Sequence, residues 1–111
     1  MERKHYIYLV KVFNVIQEVY GNTTEEETVV VCTDKNRAEE ILKYNIYGID
    51  DRCYDYGLIV TVADGRVYGE INPIDLSIYK YNVYEDSFEP LDYDDKDKVS
   101  LTVKKNYSFL D

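Results

Sequence analysis

The first third of the chain alternates between inward and outward positions in a way that is typical of β-strands. From His5 to Asn14 the period is two, and β-branched and aromatic residues dominate. Because both faces of this stretch are apolar, we expect a central strand. The apolar pattern continues to Tyr20, a turn is predicted over Gly21 to Thr24, and Glu27 to Thr33 is predicted to return as the second strand of a hairpin. The two faces of the first strand are Tyr6, Tyr8, Val10 and Val12 on one side and Ile7, Leu9 and Phe13 on the other.

The period then changes, and Lys35 to Lys43 is predicted to form a helix. Apolar residues at positions i, i+3 and i+4 give one narrow stripe, formed by Ala38, Ile41 and Leu42, with charged residues elsewhere. Thr33 or Asp34 can cap its first turn, since either side chain accepts a hydrogen bond from a backbone N–H. This is the only helix that the pattern predicts. The next stretch, Tyr47 to Gly57, has no sustained period and is predicted to be a loop rich in Tyr and Asp.

The second half reads as further strands. Asp64-Gly65, between the alternating runs Leu58 to Ala63 and Arg66 to Asn72, predicts a two-residue hairpin turn. That turn would set Leu58 opposite Ile71 and Val60 opposite Gly69, with the apolar side chains together on one face.

Three more segments follow. Leu76 to Tyr84 is predicted as a strand, Glu85 to Asp97 as an acidic loop, and Lys98 to Phe109 as the closing strand. We therefore expect a single α+β domain over residues 1–111 with its acidic loop at 85–97. The domain is an antiparallel sheet of five or six strands with one helix packed on one face, in the order β-β-α-β-β-β-β. The uncovered face or a sheet edge could then pair with another chain.

The net charge narrows the class of partner that the protein is expected to bind. The chain has 111 residues, and 22 Asp and Glu against 13 Lys and Arg give a formal net charge of −9, while the hydrophobic share of 45% is too high for a disordered chain. Basic residues do not cluster, so we expect no direct binding to nucleic acid or to an anionic membrane. A basic protein surface is favoured instead, because charge complementarity promotes that encounter.

Location and origin follow from the same composition. No apolar run approaches the roughly 20 residues of a transmembrane helix, and no apolar region of a secretion signal follows Met1 to Lys4. We therefore expect a cytoplasmic protein. Residue types with AT-rich codons outnumber those with GC-rich codons, which suggests the genome of a low-GC bacterium or its phage; in a phage protein the compartment would be the host cytoplasm.

Catalytic and metal chemistry find little support in the sequence. A zinc site needs several His or Cys ligands, and the chain has one histidine, His5, with two cysteines, Cys32 and Cys53. The run from Asp92 to Asp97 does not match a calcium loop, because Lys96 and Asp97 occupy the positions that need an acidic or Asn residue and a glycine. We expect no cofactor, no metal and no catalytic residue. A small enzyme with a pocket of Tyr and paired carboxylates is the remaining catalytic alternative.

The tyrosine content is the most informative feature. Thirteen tyrosines exceed what a core of this size needs, and Tyr combines a rigid apolar ring with a polar tip, as binding surfaces require. Tyrosines on strands are expected to fill the sheet faces, whereas those beside Asp in loops are candidates for binding. The candidate partner-binding residues are Asp50, Asp51, Tyr54, Tyr56, Asp92, Tyr93, Asp94, Asp95 and Asp97.

These features lead to a functional hypothesis. We expect a non-catalytic inhibitor or adaptor that occupies a basic surface of another protein, such as one that normally holds nucleic acid. In gross character, being short, acidic and rich in Tyr, the chain resembles phage-encoded antagonists such as DNA mimics and anti-CRISPR proteins. In such proteins the carboxylates would stand in for phosphates. The alternative is a small structural or oligomerisation module of a phage or bacterial assembly.

Overall fold

The computed structural model describes residues 6–63, 75–92 and 97–107, and this part of the chain forms one antiparallel sheet of five strands with helices on both faces. The predicted α+β class and the predicted antiparallel sheet are confirmed. The strands are β1 (Tyr6–Glu18), β2 (Gly21–Cys32), β3 (Tyr56–Ala63), β4 (Asp75–Asn82) and β5 (Ser87–Leu91), in the spatial order β2-β1-β3-β4-β5. The helical elements are α1 (Lys35–Lys43), a 3₁₀ segment (Ile46–Arg52) and α2 (Lys98–Tyr107).

The central position predicted for β1 is confirmed, because β1 pairs with β2 on one edge and with β3 on the other. Its two apolar faces enter two different clusters. Val10 and Val12 are fully buried on one side of the sheet, and Phe13 is fully buried on the other. The register with β3 places apolar residues of the two strands on the same face of the sheet, since Val10 lies opposite Ile59 and Phe13 lies opposite Tyr56.

The helix predicted from the apolar stripe is confirmed as α1, with the predicted bounds. Ala38, Ile41 and Leu42 are all buried, and they pack against the cluster that includes Val10 and Val12. Asp34 is the N-cap, and its side chain accepts a hydrogen bond from the Asn36 N–H at 2.9 Å. The cap and the stripe together place α1 across one face of the sheet.

The closing strand predicted from Lys98 to Phe109 is wrong, because residues Lys98–Tyr107 form the helix α2. Alternation of Val99, Leu101 and Val103 suggested a strand. In the helix, Val99 and Val103 instead stand one turn apart and are buried, whereas Leu101 is exposed. Packing on the sheet therefore decides the conformation against the β-preference of the branched residues.

Helix α2 covers the sheet face that the sequence left uncovered. The cluster beneath it contains Phe13, Leu58, Val60 and Ile78. The Thr102 hydroxyl donates to the Lys98 carbonyl at 2.7 Å, so this polar group is satisfied within the helix. The expectation of one helix on one face is therefore corrected to helices on both faces.

The turns differ from the prediction in the first hairpin. The turn consists of Val19 and Tyr20, and β2 already begins at Gly21, which pairs with Glu18. The turn predicted over Gly21 to Thr24 is therefore wrong. Gly21 has φ +122°, so it supplies the conformation that L-residues rarely adopt.

The predicted turn at Asp64-Gly65 and the strand Arg66 to Asn72 lie outside the described residues. The pairing predicted for Leu58 to Thr61 is nevertheless wrong, because β1 occupies one edge of these residues and β4 occupies the other.

The strand predicted at Leu76 to Tyr84 is confirmed in β4, which ends at Asn82. The predicted acidic loop contains a strand, β5, which pairs with β4 from Asn82–Ser87 to Ile78–Leu91.

Gly57 of β3 lies close against Leu42 of α1, and this contact provides the first test. A Cβ atom at this position would lie 2.8 Å from Leu42 Cδ2 and 3.3 Å from Phe88 Cδ1. We expect Gly57→Ala to lower the free energy of unfolding by about 1–3 kcal/mol in urea titrations, because the added methyl overpacks the core. In a Leu42→Ala background the same change should cost less, since the clashing side chain is gone. An equal effect in both backgrounds would contradict this packing.

Candidate functional site

Two hairpin turns lie at the same end of the sheet. Strands β1 and β4 are both antiparallel to β3, so they run in the same direction and leave the sheet on the same side. The connection from α1 to β3 also reaches β3 at this end, because β3 begins there at Tyr56. We call this surface the turn end. It comprises the β1–β2 turn (Val19–Tyr20) with its flanking residues, the connection Tyr44–Asp55, and the β4–β5 turn (Val83–Asp86).

The turn end carries most of the exposed large hydrophobic side chains of the described residues. Large hydrophobic side chains are exposed at eight described positions, and six of these belong to the turn end. Exposed aromatic residues that are grouped together indicate an interaction surface more strongly than scattered ones do. The six are Val19, Tyr20, Tyr44, Tyr47, Val83 and Tyr84, whereas Val31 and Leu101 lie elsewhere.

Side-chain amides hold the turn end in place. Asn14 Nδ2 donates to the Cys53 carbonyl at 3.3 Å, and Asn14 Oδ1 accepts from the Asp55 N–H at 2.7 Å. Across the surface, Asn45 Nδ2 donates to the Asp86 carbonyl, and the Tyr81 hydroxyl donates to Asp86 Oδ1. The connection is therefore bound to β1 on one side and to the β4–β5 turn on the other.

Backbone strain also concentrates here. All four non-glycine residues that have positive φ in the described ranges belong to the turn end: Asn45 at 53°, Tyr47 at 65°, Cys53 at 64° and Asp86 at 50°. Asn and Asp tolerate this region, but a bulky residue such as Tyr47 does so only at a cost. Strain of this kind clusters at functional sites.

The charge of the turn end is mainly negative. Neither turn contains a Lys or Arg between residues 18 and 21 or between residues 82 and 86. Among the side chains that the structure describes, the exposed carboxylates of this end are those of Glu18, Glu25, Asp55, Glu85 and Asp86, with the exposed Lys43 and Lys80 beside them. Exposed tyrosines and carboxylates therefore share one surface.

The predicted site residues are divided by the structure. Asp50 and Asp51 lie in the 3₁₀ segment, of which the backbone is described, and Tyr54 follows it in the same connection. Tyr54 is partly buried against the cluster beneath α1. This group belongs to the turn end.

Tyr56 and Asp97 lie on the face of the sheet that α2 covers. Tyr56 packs beneath α2, and Asp97 stands at the start of that helix. Tyr56 stacks on Phe13 with ring centroids 5.2 Å apart. Burial raises the pKa of the Tyr56 phenol, and the carboxylates of Asp55 and Asp97 raise that pKa further. Asp97 is the N-cap of α2, because Asp97 Oδ2 accepts from the Ser100 N–H at 3.1 Å. Both side chains therefore have structural roles.

The remaining predicted residues belong to the acidic segment. Asp92 is exposed and lies just beyond β5, at the end of that strand away from the β4–β5 turn. Tyr93, Asp94 and Asp95 lie outside the described residues. The binding role of the predicted set stays a prediction.

The exposed residues of the two turns were missed because they were assigned to strands. The apolar pattern extends as far as Tyr20, and the strand predicted from Leu76 includes Tyr84, so periodicity alone indicates no turn at either dipeptide. A signal was present. Each of the two dipeptides Val19-Tyr20 and Val83-Tyr84 follows a strand and precedes a polar segment, which is where a hairpin turn is expected.

A groove of about 430 Å³ lies beside the β4–β5 turn. It contains one carboxylate, Glu89, which accepts from Asn82 Nδ2 at 3.2 Å. A site of paired carboxylates, the catalytic alternative considered from the sequence, would need a second carboxylate here. Its lining residues are Lys80, Tyr81, Asn82, Val83, Tyr84, Glu89, Pro90 and Leu91.

In the described ranges, no group of three or more His, Cys, Asp or Glu side chains is arranged to hold a metal ion. None of the described helices has the length and apolarity that crossing a bilayer requires. No family model, curated protein or solved structure matches the chain.

The burial of Tyr56 predicts a specific sensitivity to alkaline pH. Its folded pKa lies above the unfolded value of 10.0, so its contribution to stability is complete below about pH 10 and is lost as the pH rises through the folded pKa. We expect Tyr56→Phe to lose less thermal stability than the wild type when melting is followed from about pH 9 to about pH 12. Tyr20→Phe is the matched control, because Tyr20 is 97% exposed. Identical alkaline losses in the two variants would contradict the burial of Tyr56.

The capping role of Asp97 gives a second test. We expect Asp97→Ala to lower the free energy of unfolding by about 1 kcal/mol, because the Ser100 N–H loses its acceptor. Asp97→Asn should retain most of the stability, since Asn also caps helices. Urea titration followed by circular dichroism measures both. Equal stability of Asp97→Ala and the wild type would show that the cap has no role in folding.

Proposed function

We propose that the protein is a non-catalytic inhibitor or adaptor whose turn end occupies a basic surface of another protein. The observation that carries this proposal is the grouping of exposed tyrosines, valines and carboxylates at one end of the sheet. Each ingredient has a separate task in binding. Carboxylates select a partner of opposite charge, and apolar rings supply the contacts that remain after charge has guided the encounter.

The net charge supports a basic partner. At −9 the whole chain attracts a positively charged surface from a distance, and this attraction raises the association rate at low ionic strength. Exposed Tyr rings then bury apolar area with little loss of side-chain entropy. Because the long-range attraction is electrostatic, salt should weaken the complex.

The partner class that fits best is a protein surface that normally holds nucleic acid. Such a surface is lined with Lys and Arg spaced to meet phosphates. Carboxylates of the turn end, to which the predicted Asp50 and Asp51 belong, would stand in for those phosphates. Asp97 caps α2 and Asp92 lies at the far end of β5, so neither is part of this surface. The roles predicted for Asp94 and Asp95 stay predictions. The character is that of a DNA mimic or an anti-CRISPR protein acting in the cytoplasm, and in the host cytoplasm if a phage encodes it.

The oligomerisation alternative has less support than docking to another protein. It depended on an uncovered sheet face or a sheet edge, and in the described part α1 covers one face while α2 covers the other. The edges are also poorly suited to pairing. Strand β2 carries Glu25, Glu26 and Glu27, and β5 carries Pro90, and charge and proline are both devices that discourage edge pairing.

A pull-down from host-cell lysate at low and high salt tests the proposal, with bound proteins identified by mass spectrometry. We expect a basic protein that is retained at low salt and released at high salt. The double variant Glu18→Lys with Glu85→Lys should reduce its capture by about tenfold or more, because it reverses two exposed charges of the turn end.

The matched control is Glu40→Lys with Asp75→Lys. It makes the same change in net charge at two exposed positions outside the turn end, so it should retain most of the binding. Capture that ignores salt, or capture that survives Glu18→Lys with Glu85→Lys, would refute a charge-guided turn end.

A further inference from the structure

The two hairpin turns of the turn end carry the same dipeptide. The first reads Glu18-Val19-Tyr20-Gly21 and the second reads Asn82-Val83-Tyr84-Glu85. The four apolar side chains are the most exposed large hydrophobics of the described residues, at 93% and 97% in the first turn and 70% and 94% in the second. We call these dipeptides the Val-Tyr turns.

Folding does not require Val or Tyr at these positions. Hairpin turns are normally built from Gly, Asn, Asp and Ser, and here such residues already do the work beside each dipeptide. Gly21 takes the positive φ of the first turn. In the second turn Asn82 Oδ1 accepts from the N–H groups of Tyr84 and Glu85, and Asp86 takes the positive φ. The Val and Tyr side chains therefore have no role in forming either turn.

The sheet fixes the spacing of the Val-Tyr turns. The β1–β2 and β4–β5 hairpins are centred three strand positions apart, which corresponds to about 14 Å at about 4.8 Å per strand. Strand β1 continues for five residues beyond its last pair with β3, at Phe13–Tyr56, so the first turn stands about 17 Å above that level. Strand β4 continues for only two residues beyond its Tyr56–Lys80 pair, so the second turn is lower.

A saddle lies between the two Val-Tyr turns, because β3 starts only at Tyr56. The floor of the saddle is the connection at Cys53 and Asp55, which Asn14 holds through its two amide hydrogen bonds. The two turns are therefore fixed relative to each other by the sheet and by this connection. Such an arrangement presents two separate contact points at a set distance.

We propose that the Val-Tyr turns are two contact points that bind one folded basic protein, at two apolar pockets rimmed by Lys or Arg. From the lateral offset of about 14 Å and a height difference of about 10 Å, these pockets would be about 18 Å apart. This inference rests on the proposed function and names the residues that carry its affinity. Acidic groups stand directly beside the turns, at Glu18 in the first and at Glu85 and Asp86 in the second. They match a basic pocket rim and oppose insertion into an anionic membrane.

Two contacts held on one rigid support strengthen each other. Once one turn is bound, the other meets its pocket at a high effective concentration, so most of the affinity depends on both being present. Loss of either tyrosine should therefore weaken the complex strongly. Their exposure means that neither substitution should disturb folding, which melting curves will verify.

Photo-crosslinking in host-cell lysate tests the inference. The full chain is prepared with p-benzoylphenylalanine in place of Tyr20, of Tyr84 or, as a control, of Val31, which is exposed on β2 away from the turn end. We expect the first two positions to crosslink the same basic protein at two distinct sites, and the Val31 position to give no such product. Crosslinks to different proteins, from one turn alone or from neither would overturn the inference.

Affinity measurements complete the test, with the partner that crosslinking identifies purified on its own, without a crosslink. We expect Tyr20→Ala and Tyr84→Ala each to raise its Kd by about tenfold or more, and Val31→Ala to change it by less than about twofold. Flotation with phosphatidylcholine vesicles that depends on Tyr20 and Tyr84 would assign the turns to a lipid surface and overturn the inference.

The two proposals can fail separately. If a salt-sensitive basic partner is captured but both tyrosine variants bind it normally, the proposed function is retained. Binding through the two Val-Tyr turns is then wrong. If no salt-sensitive partner is captured, the proposed function itself is wrong.

Discussion

Two central strands, β1 and β3, carry apolar side chains on both of their faces, and both faces must be removed from water. Val10 and Ile59 point to one side of the sheet, and Phe13 and Leu58 point to the other. Burying a side chain of this size contributes about 1.5–3 kcal/mol, so leaving a whole face exposed is not compatible with a stable fold. This requirement explains why a second helix is present and why a segment rich in β-branched residues adopts it.

Covering both faces also decides which parts of the sheet stay exposed. In the described part of the chain, with α1 on one face and α2 on the other, these are the sheet edges and the sheet ends. The edges carry a run of glutamates and a proline, which discourage strand pairing. The turn end carries exposed aromatic rings instead, together with strained backbone at Tyr47 and Cys53. The constraint that builds the core thus leaves the exposed large hydrophobic side chains of the described residues mainly at one end of the sheet.

The candidate site was only partly predictable. The association of Tyr with Asp pointed to the connection that holds Asp50, Asp51 and Tyr54, and that connection does lie at the turn end. Tyr56 and Asp97 could not be judged from sequence, because one is packed under a helix that the pattern read as a strand and the other caps that helix. The residues of the Val-Tyr turns were hidden by the alternation itself, since a turn that carries apolar residues looks like a continued strand.

By itself the sequence determined the elements whose signals are local. The two-faced alternation of β1, the stripe and cap of α1 and the antiparallel α+β class all depend on spacing within a dozen residues, and the structure has each of them. Tertiary structure alone decided the conformation of α2, the neighbours of β3 and the grouping of the two turns. Those features depend on which surfaces meet after the chain has folded. Because β1 and β4 run in the same direction on either side of β3, two turns more than sixty residues apart in the chain reach one end of the sheet.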